Sequence, residues 1–113
     1  MASRFLRELT IRQLRALAAV HRDRSVTSAA KRLHLTQPAV TLQIRNLQAL
    51  AGLPLMQRTS EGMLLTDAGR EVLALSERIE AAIADCETSL WTIPQPSLDR
   101  EVRNGAGERK ATS

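Results

Sequence analysis

Thr36, Gln37, Thr41, Gln43 and Arg45 sit among apolar residues at helical spacing, and together they carry hydrogen-bonding and cationic groups of the kind that can contact a nucleic-acid duplex. A glutamine can pair with adenine through N6 and N7 in the major groove. Pro38 and Ala39 are apolar and small enough to meet a thymine methyl. Thr36 and Thr41 can bond a phosphate or a base, and free N–H groups at a helix start favour phosphate. The run is interleaved with Val40 and Ile44, which would turn the polar side chains outward. An ordinary three-helix bundle with a polar surface would show the same pattern, so spacing alone leaves both readings open.

Other chemistry finds little support. No nucleophile, base and orienter occur together, which predicts that the chain is not an enzyme. Cys86 is the only cysteine, so no internal disulfide is possible, and it reads as a small seam residue rather than a redox thiol. His21 and His34 belong to no Cys/His cluster, so neither a metal nor a cofactor is expected. Gly105-Ala106-Gly107-Glu108-Arg109-Lys110 has the composition of a phosphate loop without the strand and helix that would frame it.

The elements that would position the candidate residues follow from caps and periodicity. Residues 1–8 have no clear period and read as a flexible arm. Thr10 and Gln13 form a capping box, with Leu9 and Leu14 as its hydrophobic staple. Leu14, Leu17, Ala18 and His21 then predict a helix over about 11–22. Ser25 caps a second, short helix with an apolar face of Val26, Ala29, Ala30 and Leu33. His34 stands where a left-handed residue is needed, and Leu35 joins Leu33, Val40 and Ile44 in gluing the two helices together. Thr36 caps a third helix that tolerates Pro38 in its first turn, buries Val40, Ile44, Leu47 and Ala51, and ends at Gly52. The helix-turn-helix is therefore placed at 26–45, within a domain spanning 9–66. Leu55-Met56 and Met63-Leu64-Leu65 predict a hairpin over 55–65 turning at Ser60-Glu61-Gly62. Thr66 and Asp67 start a long helix over 67–91, and 92–113 read as a disordered polar tail.

Charge sharpens the choice. Residues 1–60 hold ten Lys/Arg against Glu8 and Asp23, whereas residues 61–113 hold six against ten acids. A basic first half suits a polyanion partner. The only aromatics, Phe5 and Trp91, give no stacking platform for single strands or RNA. No apolar run approaches the roughly 18 residues of a membrane span, and no signal peptide is visible, so a cytoplasmic protein without a membrane partner is expected.

The string Ala29-Ala30-x-x-Leu33-His34-Leu35-Thr36-Gln37-Pro38-Ala39-Val40-Thr41-x-Gln43-Ile44-x-x-Leu47 resembles the signature of LysR-type transcriptional regulators. Leu50-x-Gly52-x-Pro54-Leu55-x-x-Arg58 and Leu65-Thr66-x-Ala68-Gly69 continue it in order, over roughly residues 9–90. The resemblance implies a mainly α fold: a winged helix-turn-helix, with a three-helix core and a small hairpin wing, followed by a long linker helix. It implies base contacts from Gln37, Pro38, Ala39 and Thr41, with a backbone or minor-groove contact from Arg58. The Leu-Thr-Gln-Pro-Ala-Val and Gly-Leu-Pro-Leu strings are slightly similar to those of regulators of carbon-fixation operons. Four features depart from the pattern. Leu42 stands where many relatives carry Arg, Glu61 where the wing tip is often basic, and Val26 and Met56 where Phe is common. The length leaves no room for the effector-binding domain of a full regulator, so none is expected in this chain.

Along the linker helix Val72, Ser76, Ile79, Ile83, Cys86 and Leu90 alternate spacings of four and three, the pattern of a helix–helix seam. Leu75 widens the stripe. A helix packed on its own domain would show a similar stripe, but at about 1.5 Å per residue this one would reach roughly 36 Å, more than a small core can cover. The expected partners are a second copy of the chain, through Val72, Leu75, Ile79, Ile83, Cys86 and Leu90, and a palindromic double-stranded DNA operator. The alternative is a dimerisation module that forms mixed dimers with full-length relatives.

Overall fold

The computed structural model describes residues 3–94. The elements run α1 (Arg4–Glu8), α2 (Ile11–Asp23), α3 (Val26–Leu33), α4 (Gln37–Ala51), β1 (Met56–Thr59), β2 (Gly62–Leu65) and α5 (Asp67–Trp91). Two compact units are distinguished, one ending at Ala81 and one beginning at Ala82.

Local chemistry sets each boundary in the first unit. Thr10 and Gln13 form the reciprocal capping box at the start of α2: the Gln13 N–H donates to Thr10 Oγ1 at 3.1 Å and the Thr10 N–H to Gln13 Oε1 at 3.0 Å. Ser25 Oγ accepts from the Ser28 N–H at 3.1 Å and opens α3. Such caps are each worth about 1 kcal/mol. Arg24 and His34 close α2 and α3 in the left-handed region, at φ 55° and 58°. That conformation reverses the chain within one or two residues, so three helices pack with almost no loop between them.

The core is aliphatic. Leu14, Leu17 and Val20 of α2, Ala29 and Ala30 of α3, and Val40, Ile44 and Leu47 of α4 are buried together with Leu55, Met56, Leu65 and Val72. Alanine at 29 and 30 lets α3 lie close to its neighbours. The hairpin is antiparallel, pairing Met56 with Leu65 and Thr59 with Gly62. Gly69 has no room for a Cβ, which would overlap the Leu55 carbonyl, so the start of α5 rests directly on the chain entering the hairpin.

Several expectations need correction. Residues 4–8 are helical rather than a loose arm: Ser3 Oγ accepts from the Leu6 N–H, and Arg4 pairs with Glu8 at 3.2 Å. Five residues are too few for a visible period. His21 is exposed and Leu35 is 46% exposed, because α2 buries Gln13, Ala16 and Ala19 instead and Leu35 lies in the turn. The hairpin loop is Ser60-Glu61, and Gly62 already opens β2. Val72, expected on the seam, packs within its own chain. It is 7% exposed, inside its own core. Ser76, placed in the same seam by its spacing, is buried as well. The first turns of α5 have to close the open side of this small core, and their apolar face is used there.

In the second unit every described residue from Ala82 to Pro94 is exposed. Ile83 is 45%, Leu90 51% and Trp91 88% exposed, and Cys86 is exposed too. The expected tail falls mostly on residues 95–113, outside the described residues, as does the glycine-rich 105–110 stretch. No helix among the described residues is long and apolar enough to cross a membrane.

Candidate nucleic-acid interface

The start of α4 is built as the caps predict. Thr36 adopts an extended backbone and its hydroxyl accepts from the Ala39 N–H at 3.2 Å, with Pro38 in the first turn. His34 supplies the turn before it, where the Leu35 N–H donates to the Ala30 carbonyl at 2.9 Å. Val40, Ile44 and Leu47 are buried. Thr36, Gln37, Pro38, Thr41, Leu42, Arg45 and Asn46 are consequently exposed, while Ala39 and Gln43 are half-buried along one flank. The helix thus presents a polar first turn and an exposed cation on a rigid aliphatic back.

The wing is fastened to that helix. Gln48 Oε1 accepts from the Leu55 N–H at 2.9 Å and the Met56 N–H at 3.4 Å, tying α4 to the base of β1. The Met63 N–H donates to the Arg24 carbonyl at 3.0 Å. A Cβ on Gly62 would come within 2.5 Å of that same carbonyl, so the glycine allows the hairpin to approach the end of α2. At the tip, Thr59 Oγ1 donates to the Gly62 carbonyl and accepts from the Glu61 N–H, both at 3.0 Å. Arg58 is exposed on β1 opposite Met63. Sequence reasoning missed Gln48 and Arg24. Gln48 carried a faint signal, as a polar residue at the edge of the apolar face of α4; Arg24 is the single residue left between the end of α2 and the Ser25 cap.

Electrostatics favour an anion. The two acids of the first 60 residues are both engaged: Glu8 by Arg4, and Asp23 by Arg32 at 2.8 and 3.1 Å. The hydrogen bond from Arg32 holds the Asp23 carboxyl below its ordinary pKa. Arg7, Arg12, Arg15, Arg22, Arg24, Lys31, Arg45 and Arg58 remain exposed, and none makes an ion pair among the described residues. The basic first half is therefore a largely uncompensated cationic surface.

The structure brings Thr36, Gln37, Pro38, Ala39, Thr41, Gln43 and Arg45 together on α4 and places Arg58 on the hairpin. The seam residues do not behave alike. Val72 is interior, Leu75 and Ile79 are half-buried, and Ile83, Cys86 and Leu90 are exposed.

Three packed helices, a tight left-handed turn and a two-stranded hairpin define a winged helix-turn-helix. Residues 11–70 match the family model described as bacterial regulatory helix-turn-helix protein, lysR family, and the chain belongs to that family. It is 40% identical over 91 residues to the HTH-type transcriptional regulator CfxR of Cupriavidus necator, covering 80% of this chain and 29% of that protein. It is 44% identical over 85 residues to the RuBisCO operon transcriptional regulator of Allochromatium vinosum, covering 75% of this chain and 28% of that one. The chain thus spans under a third of the length of these relatives, which are transcriptional regulators, not enzymes. Among solved structures, the CbnR_DBD–DNA complex superposes with a TM-score of 0.65 at 38% identity, over 72% of this chain and 94% of that one. The BenM_DBD/catB site 1 DNA complex superposes at 0.67 with 27% identity, over 73% and 92%.

Proposed function

We propose that this chain binds double-stranded DNA sequence-specifically, as a dimer, and regulates transcription. The observation that carries this reading is the first turn of α4: Gln37, Pro38 and Thr41 are exposed while Val40, Ile44 and Leu47 fix the helix from behind. A helix held this way can enter a major groove and offer the Gln37 amide to an adenine edge. Arg45 and Arg58, both exposed, would contact the backbone. The DNA complexes formed by its structural relatives support the reading. Leu42, 51% exposed, can add an apolar contact but no charge.

Dimerisation is assigned to the exposed apolar residues Ile83, Cys86 and Leu90. A two-fold pair of readers would recognise a palindrome with half-sites spaced by helical turns. The same exposed face supports a second reading, mixed dimers with longer members of the family. Selection of bound duplexes from a random pool tests the first reading. A palindromic consensus is expected, and a pool that never enriches would refute it. Retention of full-length relatives without any selected duplex would instead favour mixed dimers.

A further inference from the structure

We infer that Arg12 and Arg15 form a second phosphate grip, on the flank of α4 opposite the wing, that holds the sugar–phosphate backbone of a DNA duplex. This rests on the DNA reading above and assigns it residues that neither the sequence motifs nor the cap chemistry singled out. Both arginines are exposed on α2, three residues apart, and neither makes an ion pair among the described residues. The residues around them, Gln13, Leu14, Ala16 and Leu17, are buried, so the α2 backbone beneath them is held firmly.

Their position relative to α4 is what points to a backbone contact. Arg12 and Arg15 line a groove of about 430 Å³ together with Leu33, Leu35, Ala39 and Gln43. At about 100° per residue, Ala39 and Gln43 share one flank of α4, and Gln37, Thr41 and Gln48 share the other. The second flank is the one Gln48 ties to the wing. Cations therefore stand on both sides of the helix, the arginine pair beyond Ala39 and Gln43 and Arg58 on the hairpin. A major groove is bounded by two phosphate backbones about 12 Å apart, and a helix lying in it turns one flank to each. No acid lines the groove, and Glu8 and Asp23 are already engaged elsewhere. The planar, forked guanidinium suits two-pronged contact with phosphate.

The test uses a short labelled duplex of random sequence, titrated between about 50 and 200 mM salt, where backbone contacts dominate. The proteins are the wild-type chain, the R12Q/R15Q double variant, and R78Q, which removes an exposed charge from α5. The double variant should bind more weakly, and the slope of log K against log salt should fall by about 0.9 for each arginine, whereas R78Q should leave it unchanged. If the double variant melts at a lower temperature, R12K/R15K provides the check, since charge alone should restore most of the slope. A wild-type chain that binds while R12Q/R15Q keeps its slope would overturn the grip and leave the DNA reading standing. A wild-type chain that binds no duplex would overturn both.

Discussion

The two long helices, α4 and α5, are both amphipathic, yet they use their apolar faces differently. On α4 one face serves one purpose: Val40, Ile44 and Leu47 are buried in the core, and what lies away from it is exposed, with Thr41, Arg45 and Asn46 beside the apolar Leu42. On α5 the face is divided along its length. Val72 and Ser76 are buried, Leu73, Leu75 and Ile79 are half-buried, and Ile83, Cys86 and Leu90 are exposed. Similar spacing thus marks a complete intramolecular packing face in one helix and a face with an unfilled half in the other. Helical periodicity reports that a face is apolar; it does not report whether the neighbour is the same chain.

Substitutions can break this contrast. Leu47→Ala removes a fully buried side chain and should destabilise the domain by about 2–5 kcal/mol, read by denaturant unfolding. Ile83→Ala, at 45% exposure, should cost under about 0.5 kcal/mol in the monomer; a loss comparable to that of Leu47→Ala would mean that the exposed half of α5 already has a partner within the chain. On the proposed dimer, Ile83→Glu should shift the sedimentation profile to monomer without altering the helical circular dichroism. An unchanged profile would remove this face from the interface.

A smaller effect sharpens the polar side of α4. Gln37→Ala should leave stability intact but cost about 1–3 kcal/mol at one base position of a selected duplex, whereas Arg45→Ala or Arg58→Ala should weaken all duplexes alike and flatten the salt dependence. A selected duplex bound equally well by Gln37→Ala would detach recognition from the first turn. The smallest effect concerns Asp23. The hydrogen bond from Arg32 holds its pKa below the ordinary carboxylate value, so the ionised pair stabilises the fold above that ordinary value and the contribution is lost as pH falls through the lower, folded value. Thermal melts of wild type and Asp23→Asn should differ near neutral pH and converge in strong acid.

Most of the first unit was legible because its signals are local. Thr10, Ser25 and Thr36 cap helices through their own third neighbours, and His34 takes the left-handed turn assigned to it. The spaced motifs from Ala29 to Gly69 carry the family resemblance within the sequence itself. The short α1 was not legible, since it depends on one cap and one ion pair within five residues. Nor were the wing fastenings, because Gln48 reaches seven residues ahead to Leu55 and the Arg24 carbonyl meets Met63 far along the chain.

By itself the sequence determined where the helices from α2 onward begin, which residues of α4 face outward, and how strongly basic the first half is. These depend on hydrogen bonds spanning three or four residues and on charges that can be counted. Only the tertiary structure decided that Val72 and Ser76 belong to the core, that both acids of the basic half are already paired, and that Arg12 and Arg15 line a groove beside α4. Those outcomes depend on which surfaces meet after the chain reverses at Arg24 and His34, and no short-range pattern encodes the meeting of distant faces.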